Sequence, residues 1–140
     1  WIPKSWKKRI KPWTYLTCFW SQRYVGARRY EKIEHNHPAV RKAREYLDAS
    51  IENYTTAKFV QKVFQEAPAI NMQLPSTAYE QWNLGQEIPF DELEEGDLVF
   101  FRSNLSDDVP SMTGIYAGEG SFIILTSTVV KEIKIPRVLD

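Results

Sequence analysis

The stretch from Leu93 to Ile135 constrains most what this chain can fold into. Leu98-Val-Phe-Phe101 is a short apolar run that follows the turn signal Glu95-Gly96-Asp97. Gly114-Ile-Tyr116 and Ser121-Phe-Ile-Ile-Leu125 flank Gly118-Glu119-Gly120, and Val129-Val130, Ile133 and Ile135 follow. Short runs rich in β-branched and aromatic residues, separated by Gly, Asp, Asn and Pro, read as three or four strands of an antiparallel meander. They place the hydrophobic centre of the chain in its C-terminal part.

Upstream the period changes. Pro38 suits the first turn of a helix over 39–49, in which Val40, Ala43, Tyr46 and Leu47 recur at helical spacing. The clearest helical pattern covers 53–67: Phe59, Val60, Val63, Phe64 and Ala67 form one apolar stripe, Thr55 or Thr56 can cap it, and Pro68 helps to end it. A further short helix is expected over 74–82, with Ser76 as its cap and Gly85 as its stop. Helices followed by strands predict an α+β layout, the N-terminal helices packed on one side of a C-terminal antiparallel sheet.

At 140 residues one domain is the expectation, and a chain of this length buries a core without staples. Cys18 is the lone cysteine, which excludes an internal disulfide framework and a thiolate metal cluster. No apolar run is long enough to span a bilayer. His35 and His37 stand two apart with no third ligand at metal spacing. They are expected in a solvated turn before the first helix. Neither a metal nor another cofactor is implied. The chain begins at Trp1 rather than Met, as a trimmed or processed chain does, so a leader or an anchor would be missing.

The formal charge is zero but unevenly spread. Residues 1–34 hold nine Lys and Arg against Glu31 and Glu34, a net +7, and the remainder holds −7. Trp1, Trp6, Trp13 and Trp20 lie in the same head. Residues 1–38 therefore read as a basic, Trp-rich arm and 39–140 as the folded domain. The arm either packs its aromatics on the domain or touches a membrane surface through Trp6, Lys7, Lys8, Arg9, Lys11 and Trp13. A nucleic-acid partner is not expected.

The wording of residues 55–135 resembles the NlpC/P60 family, papain-like cysteine peptidases that cut bacterial cell-wall peptides. Thr55-Thr-Ala-Lys-Phe-Val60 stands where the family helix begins Asp-Cys-Ser-Gly-Phe-Val. Leu74-Pro-Ser-Thr-Ala-Tyr-Glu-Gln81, with Gly85-Gln-Glu-Ile88, matches a family segment of the type Leu-Pro-Arg-Thr-Ser…Gln…Gly-X-X-Val. Leu93-Glu-Glu-Gly-Asp-Leu-Val-Phe-Phe101 matches Leu-X-Pro-Gly-Asp-Leu-Val-Phe-Phe. Met112-Thr-Gly-Ile-Tyr-Ala-Gly-Glu-Gly-Ser-Phe-Ile-Ile124 matches His-Val-Gly-Ile-Tyr-X-Gly-X-Gly-X-Phe-Ile-His. The resemblance implies the papain-like NlpC/P60 fold and, by that kinship alone, a place in or outside the bacterial cell envelope.

The departures fall on the chemistry. By the resemblance, Thr56 stands for the nucleophilic cysteine, Met112 for the general-base histidine and Ile124 for the orienting residue. A cysteine thiol becomes a thiolate beside an imidazolium and a helix N-terminus. A threonine hydroxyl needs a base within hydrogen-bond reach. Met112 offers only a weakly accepting thioether and Ile124 offers nothing. These residues imply no catalytic set, and Thr56 is left with a capping role. The resemblance then implies an inactive domain that binds a peptidoglycan stem peptide or a partner protein in a groove, for which Tyr54, Thr55, Tyr79 and Trp82 are candidates. Two alternatives stand beside it. One is a peptidase, amidase or acyltransferase with a replaced set, such as Cys18 with His35 or His37. The other is a membrane-proximal assembly protein that docks through its basic arm.

Overall fold

The computed structural model of the chain describes residues 20, 23–30, 37–52, 54–67, 70, 73–104, 106, 109–126 and 128–134. Strand β1 (Tyr24–Arg29) comes first, then helices α1 (Pro38–Arg44), α2 (Thr56–Glu66) and α3 (Ala78–Trp82). Strand β2 (Gln86–Ile88) and a 3-10 turn at Phe90–Glu92 lead to β3 (Leu98–Phe101), β4 (Met112–Gly118), β5 (Ser121–Thr126) and β6 (Val129–Lys134). The strands form one antiparallel sheet in the order β2-β1-β3-β4-β5-β6. The fold is α+β, with helices packed on the sheet, and β3 to β6 fall on the short β-branched and aromatic runs of the C-terminal part.

Strand β3 shows how the two faces are divided. All four of its residues are buried. Leu98 and Phe100 pack with Phe59, Val60, Val63 and Phe64 of α2 and with Ala39, Val40 and Ala43 of α1. Val99 and Phe101 point the other way, into a second cluster with Tyr116, Phe122 and Ile124. An apolar run without alternation is what a strand covered on both faces requires. Trp20 belongs to the second cluster, its ring edge-on to Phe101 and Phe122 at 4.9 and 5.5 Å.

The arm boundary drawn at residue 38 is corrected by β1, which lies between β2 and β3 inside the sheet. The charges of Arg28 and Arg29 hide a strand, because their partners lie far along the chain. Arg29 donates through Nε and Nη2 to both carboxylate oxygens of Asp97, at 2.7 and 2.8 Å. Asp97 is buried and also accepts from the Glu94 N–H at 2.9 Å. The guanidinium stays protonated above its ordinary range, chiefly through this hydrogen bond. Arg28 donates to the Trp82 carbonyl at 2.8 Å and stacks on the indole at 3.9 Å. Gly26 lets that indole approach: a Cβ there would stand 2.7 Å from the Trp82 ring. β2 was likewise unforeseen, because three residues carry no period.

His37 is a second correction. It is not in a solvated turn but fully buried, and its Nδ1 accepts from the Ala39 N–H at 3.2 Å to cap α1. Its ring fills the space over Gly96, where a Cβ would lie 2.2 Å from the imidazole and where φ is +89°. Both facts demand glycine in the Glu95-Gly96-Asp97 turn. α1 also ends earlier than its apolar spacing suggests. The Asp48 N–H bonds to the Val130 carbonyl at 2.9 Å and the Val130 N–H to the Ala49 carbonyl at 3.1 Å, so the segment after α1 leaves the helix to lie along β6.

The Arg29–Asp97 pair joins β1 to the turn before β3, and removing the buried carboxylate takes two hydrogen bonds from Arg29 and the acceptor from the Glu94 N–H. Asp97→Ala is expected to destabilise the domain by about 3 kcal/mol. Lys131→Ala, which removes an exposed contact to Asp48, is expected to change stability by less than about 0.5 kcal/mol. Urea unfolding of both variants checks the difference.

Candidate functional site

The first turn of α2 carries the candidate site. Thr55, not Thr56, is the N-cap: its Oγ1 accepts from the Lys58 N–H at 3.1 Å, worth about 1 kcal/mol. Thr56 is thereby the first residue of the helix, half-exposed at the N-terminal end. The paired register of β4 and β5 begins at Ile115↔Ile123. Short of it, the backbone N–H of Thr113 donates to Thr56 Oγ1 at 3.1 Å. The start of α2 is thus held to the start of β4, one residue from Met112.

Met112 pairs with Phe101 of β3 and packs in the second cluster with Tyr116, Phe122 and Ile124. Ile124 is fully buried, and its Cβ lies over Gly114, where an added Cβ would approach it to 3.2 Å. Met112 and Ile124 therefore share one face of the sheet, while Thr56 reaches the same end of β4. Among the described residues the groups with clearly displaced ionisation are Tyr24, Arg29, Tyr30, Lys42, Tyr46, Lys62 and Glu66. Burial raises Tyr24 and Tyr30 above the tyrosine range, and the Lys62 ammonium foremost lowers Glu66. None of these groups hydrogen-bonds to Thr56.

The groove candidates separate into two kinds. Tyr54 is 39% exposed and Tyr79 52% exposed, and Thr55 is exposed beside its capping bond. Trp82 is half-buried: its ring stands edge-on to Phe100 at 5.3 Å, and it fixes α3 to β1 through Arg28. α3 is shorter than expected and is capped by Thr77 rather than Ser76, since Thr77 Oγ1 accepts from the Glu80 N–H and donates to the Glu80 carboxylate. Cys18, His35 and the membrane-surface candidates Trp6, Lys7, Lys8, Arg9, Lys11 and Trp13 lie outside the described residues. Among the described residues no group of three His, Cys, Asp or Glu could hold a metal, and no helix is long and apolar enough to cross a membrane.

Two buried polar side chains flank the first turn of α2: Gln81, which stands at the family's Gln, and Thr113, which the sequence reading did not single out. Gln81 donates through Nε2 to the carbonyls of Ala57 and Pro75, at 3.1 and 2.8 Å, and its Oε1 has no partner. Thr113 is fully buried, and its Oγ1 has no partner. The available signal was a polar residue at an inward strand position, where the family wording has valine.

These elements are those of one family. A model of the NlpC/P60 family matches residues 46–137, and the chain belongs to that family. It is 32% identical over 117 residues to the gamma-DL-glutamyl hydrolase of Bacillus subtilis (strain 168), covering 76% of this chain and 28% of the relative. It is 35% identical over 65 residues to the murein DD-endopeptidase MepS/murein LD-carboxypeptidase of Escherichia coli (strain K12), covering 46% of this chain and 32% of the relative. The chain thus spans less than a third of these relatives. NlpC1 from Trichomonas vaginalis shares the fold with a TM-score of 0.64 at 18% identity, over 79% of this chain and 45% of that one. RipD from Mycobacterium tuberculosis, a non-catalytic NlpC/p60 domain protein with an adaptation to peptidoglycan binding, has a TM-score of 0.55 at 14% identity, over 76% and 91%. Family members thus include cell-wall peptidases and a domain without catalysis.

The packing makes Trp82 and Tyr79 distinguishable. Trp82→Ala is expected to cost about 3 kcal/mol through the cavity it leaves. Tyr79→Ala is expected to shift stability by no more than about 0.5 kcal/mol. Thermal unfolding of the two variants checks this.

Proposed function

We propose that this chain is a binding member of the NlpC/P60 family, which holds a peptidoglycan stem peptide or a partner protein in the bacterial envelope without cutting it. One observation carries this: the hydroxyl at the head of α2 bonds to a backbone N–H, and the family's two further active positions are a thioether and a buried aliphatic chain. Acyl transfer needs a nucleophile with a base to receive its proton. Thr56 has no such base in Met112 or Ile124, whereas binding needs only shape and hydrogen-bond partners. The peptidoglycan version is supported by the cell-wall relatives and by a non-catalytic domain adapted to peptidoglycan binding on the same fold. The exposed rings of Tyr54 and Tyr79 offer flat contact area for a peptide.

Co-sedimentation with insoluble peptidoglycan tests the proposal. The protein is expected in the pellet, and the double variant Tyr54→Ala/Tyr79→Ala is expected to lower the retained fraction about fivefold at unchanged melting temperature. A protein that stays wholly in the supernatant would refute the peptidoglycan version.

A further inference from the structure

We propose that the N-terminus of α2 is a carboxylate site, which receives the C-terminal carboxylate of the bound peptide on the hydroxyls of Thr56 and Thr113. This rests on the binding role above and names the part of the ligand that the site recognises.

The helix has eleven residues, enough for a sizeable field at its head. Its first N–H groups have no acceptor within the helix. Thr55 satisfies that of Lys58. The N–H groups of Thr56 and Ala57 precede it and lie at the positive end. No acidic side chain stands in the first turn to balance that field, and Lys58 adds to it. Thr56 Oγ1 accepts from Thr113, so its own hydrogen is left to donate.

The second, independent observation is Thr113 itself. Strand residues alternate, so Thr113 shares a face with Ile115 and Ala117. Those two pack in the cluster that contains Ala57 and Val60 of α2. The Thr113 hydroxyl therefore points to the helix side of the sheet, at the first turn, where its own N–H already meets Thr56. It is fully buried and unpaired. A buried hydroxyl without a partner weakens a fold, and valine would fill the same volume without that penalty. A donor kept at this cost beside a helix head calls for an acceptor. A carboxylate supplies two oxygens and the negative charge that the helix end favours.

Calorimetric titration of the 140-residue chain with a stem peptide, as its free C-terminal acid and as its amide, tests the proposal. The free acid is expected to bind at least about tenfold more tightly than the amide, the order of a charge-assisted hydrogen bond. In Thr56→Val that preference is expected to fall below about twofold. Thr113→Val is expected to weaken the free acid about fivefold while raising the melting temperature of the unliganded protein. Equal binding of acid and amide would overturn the carboxylate site and leave the binding role standing. Binding of neither would overturn both the site and the peptidoglycan version of the binding role. A preference that survives Thr56→Val, or a Thr113→Val protein that melts lower when unliganded, would also overturn the site.

Discussion

The hydrogen bond from the Thr113 N–H to Thr56 Oγ1 sets where the main helix begins relative to the sheet. The apolar packing of α2 on the sheet fixes its register, and the bond at its head, worth about 1 kcal/mol, is a stop that agrees with it. Phe59, Val60, Val63 and Phe64 meet Leu98, Phe100, Ile115 and Ile123 in one register. The other helices are tied to the same frame. His37 seats α1 over Gly96, and Trp82 seats α3 over Gly26. Gln81 then joins α3 to the first turn of α2, and the Tyr30 hydroxyl donates to the Gln81 carbonyl. The site is therefore the point where the helical layer is fastened to the sheet.

Scaffold and chemistry make different demands on these residues. The contacts that hold the layers together are apolar packing and hydrogen bonds to backbone groups, and a hydroxyl makes the bond to Thr113 N–H. Proton transfer has narrower needs: a basic nitrogen at hydrogen-bond distance and a nucleophile it can deprotonate. Met112 and Ile124 extend the second cluster toward Trp20, Phe101 and Phe122. They strengthen the packing of that face and contribute nothing to acid–base work. Stability and chemistry thus draw on different atoms of the same residues.

How much of this could be read in the chain depended on whether the cause was local. The strands β3 to β6 and the stripe of α2 follow from period and composition alone. β1 did not, because Tyr24–Arg29 gains its strand character from partners at Asp97, Trp82 and Val99 that no window includes. His37 reads as a solvated polar residue in sequence, yet its ring lies over Gly96 and beside Phe64. The apolar spacing after Pro38 overstates the helix, because the Asp48 N–H bonds to the Val130 carbonyl and the Val130 N–H to the Ala49 carbonyl in competition with helical bonds. Thr56, Met112 and Ile124 are candidates that family wording alone can name. Thr113 is not among them, because burial without a partner is visible only in three dimensions.

The most direct measurement of the central claim is mass spectrometry of muropeptides incubated with the purified protein at high concentration from about pH 5 to 9, a range that spans the titration of imidazole and thiol groups. Intact peptides at every pH are the expected result, since among the described residues no base hydrogen-bonds to the Thr56 hydroxyl. New termini on the peptides, lost in the Thr56→Val or Cys18→Ala protein, would contradict it.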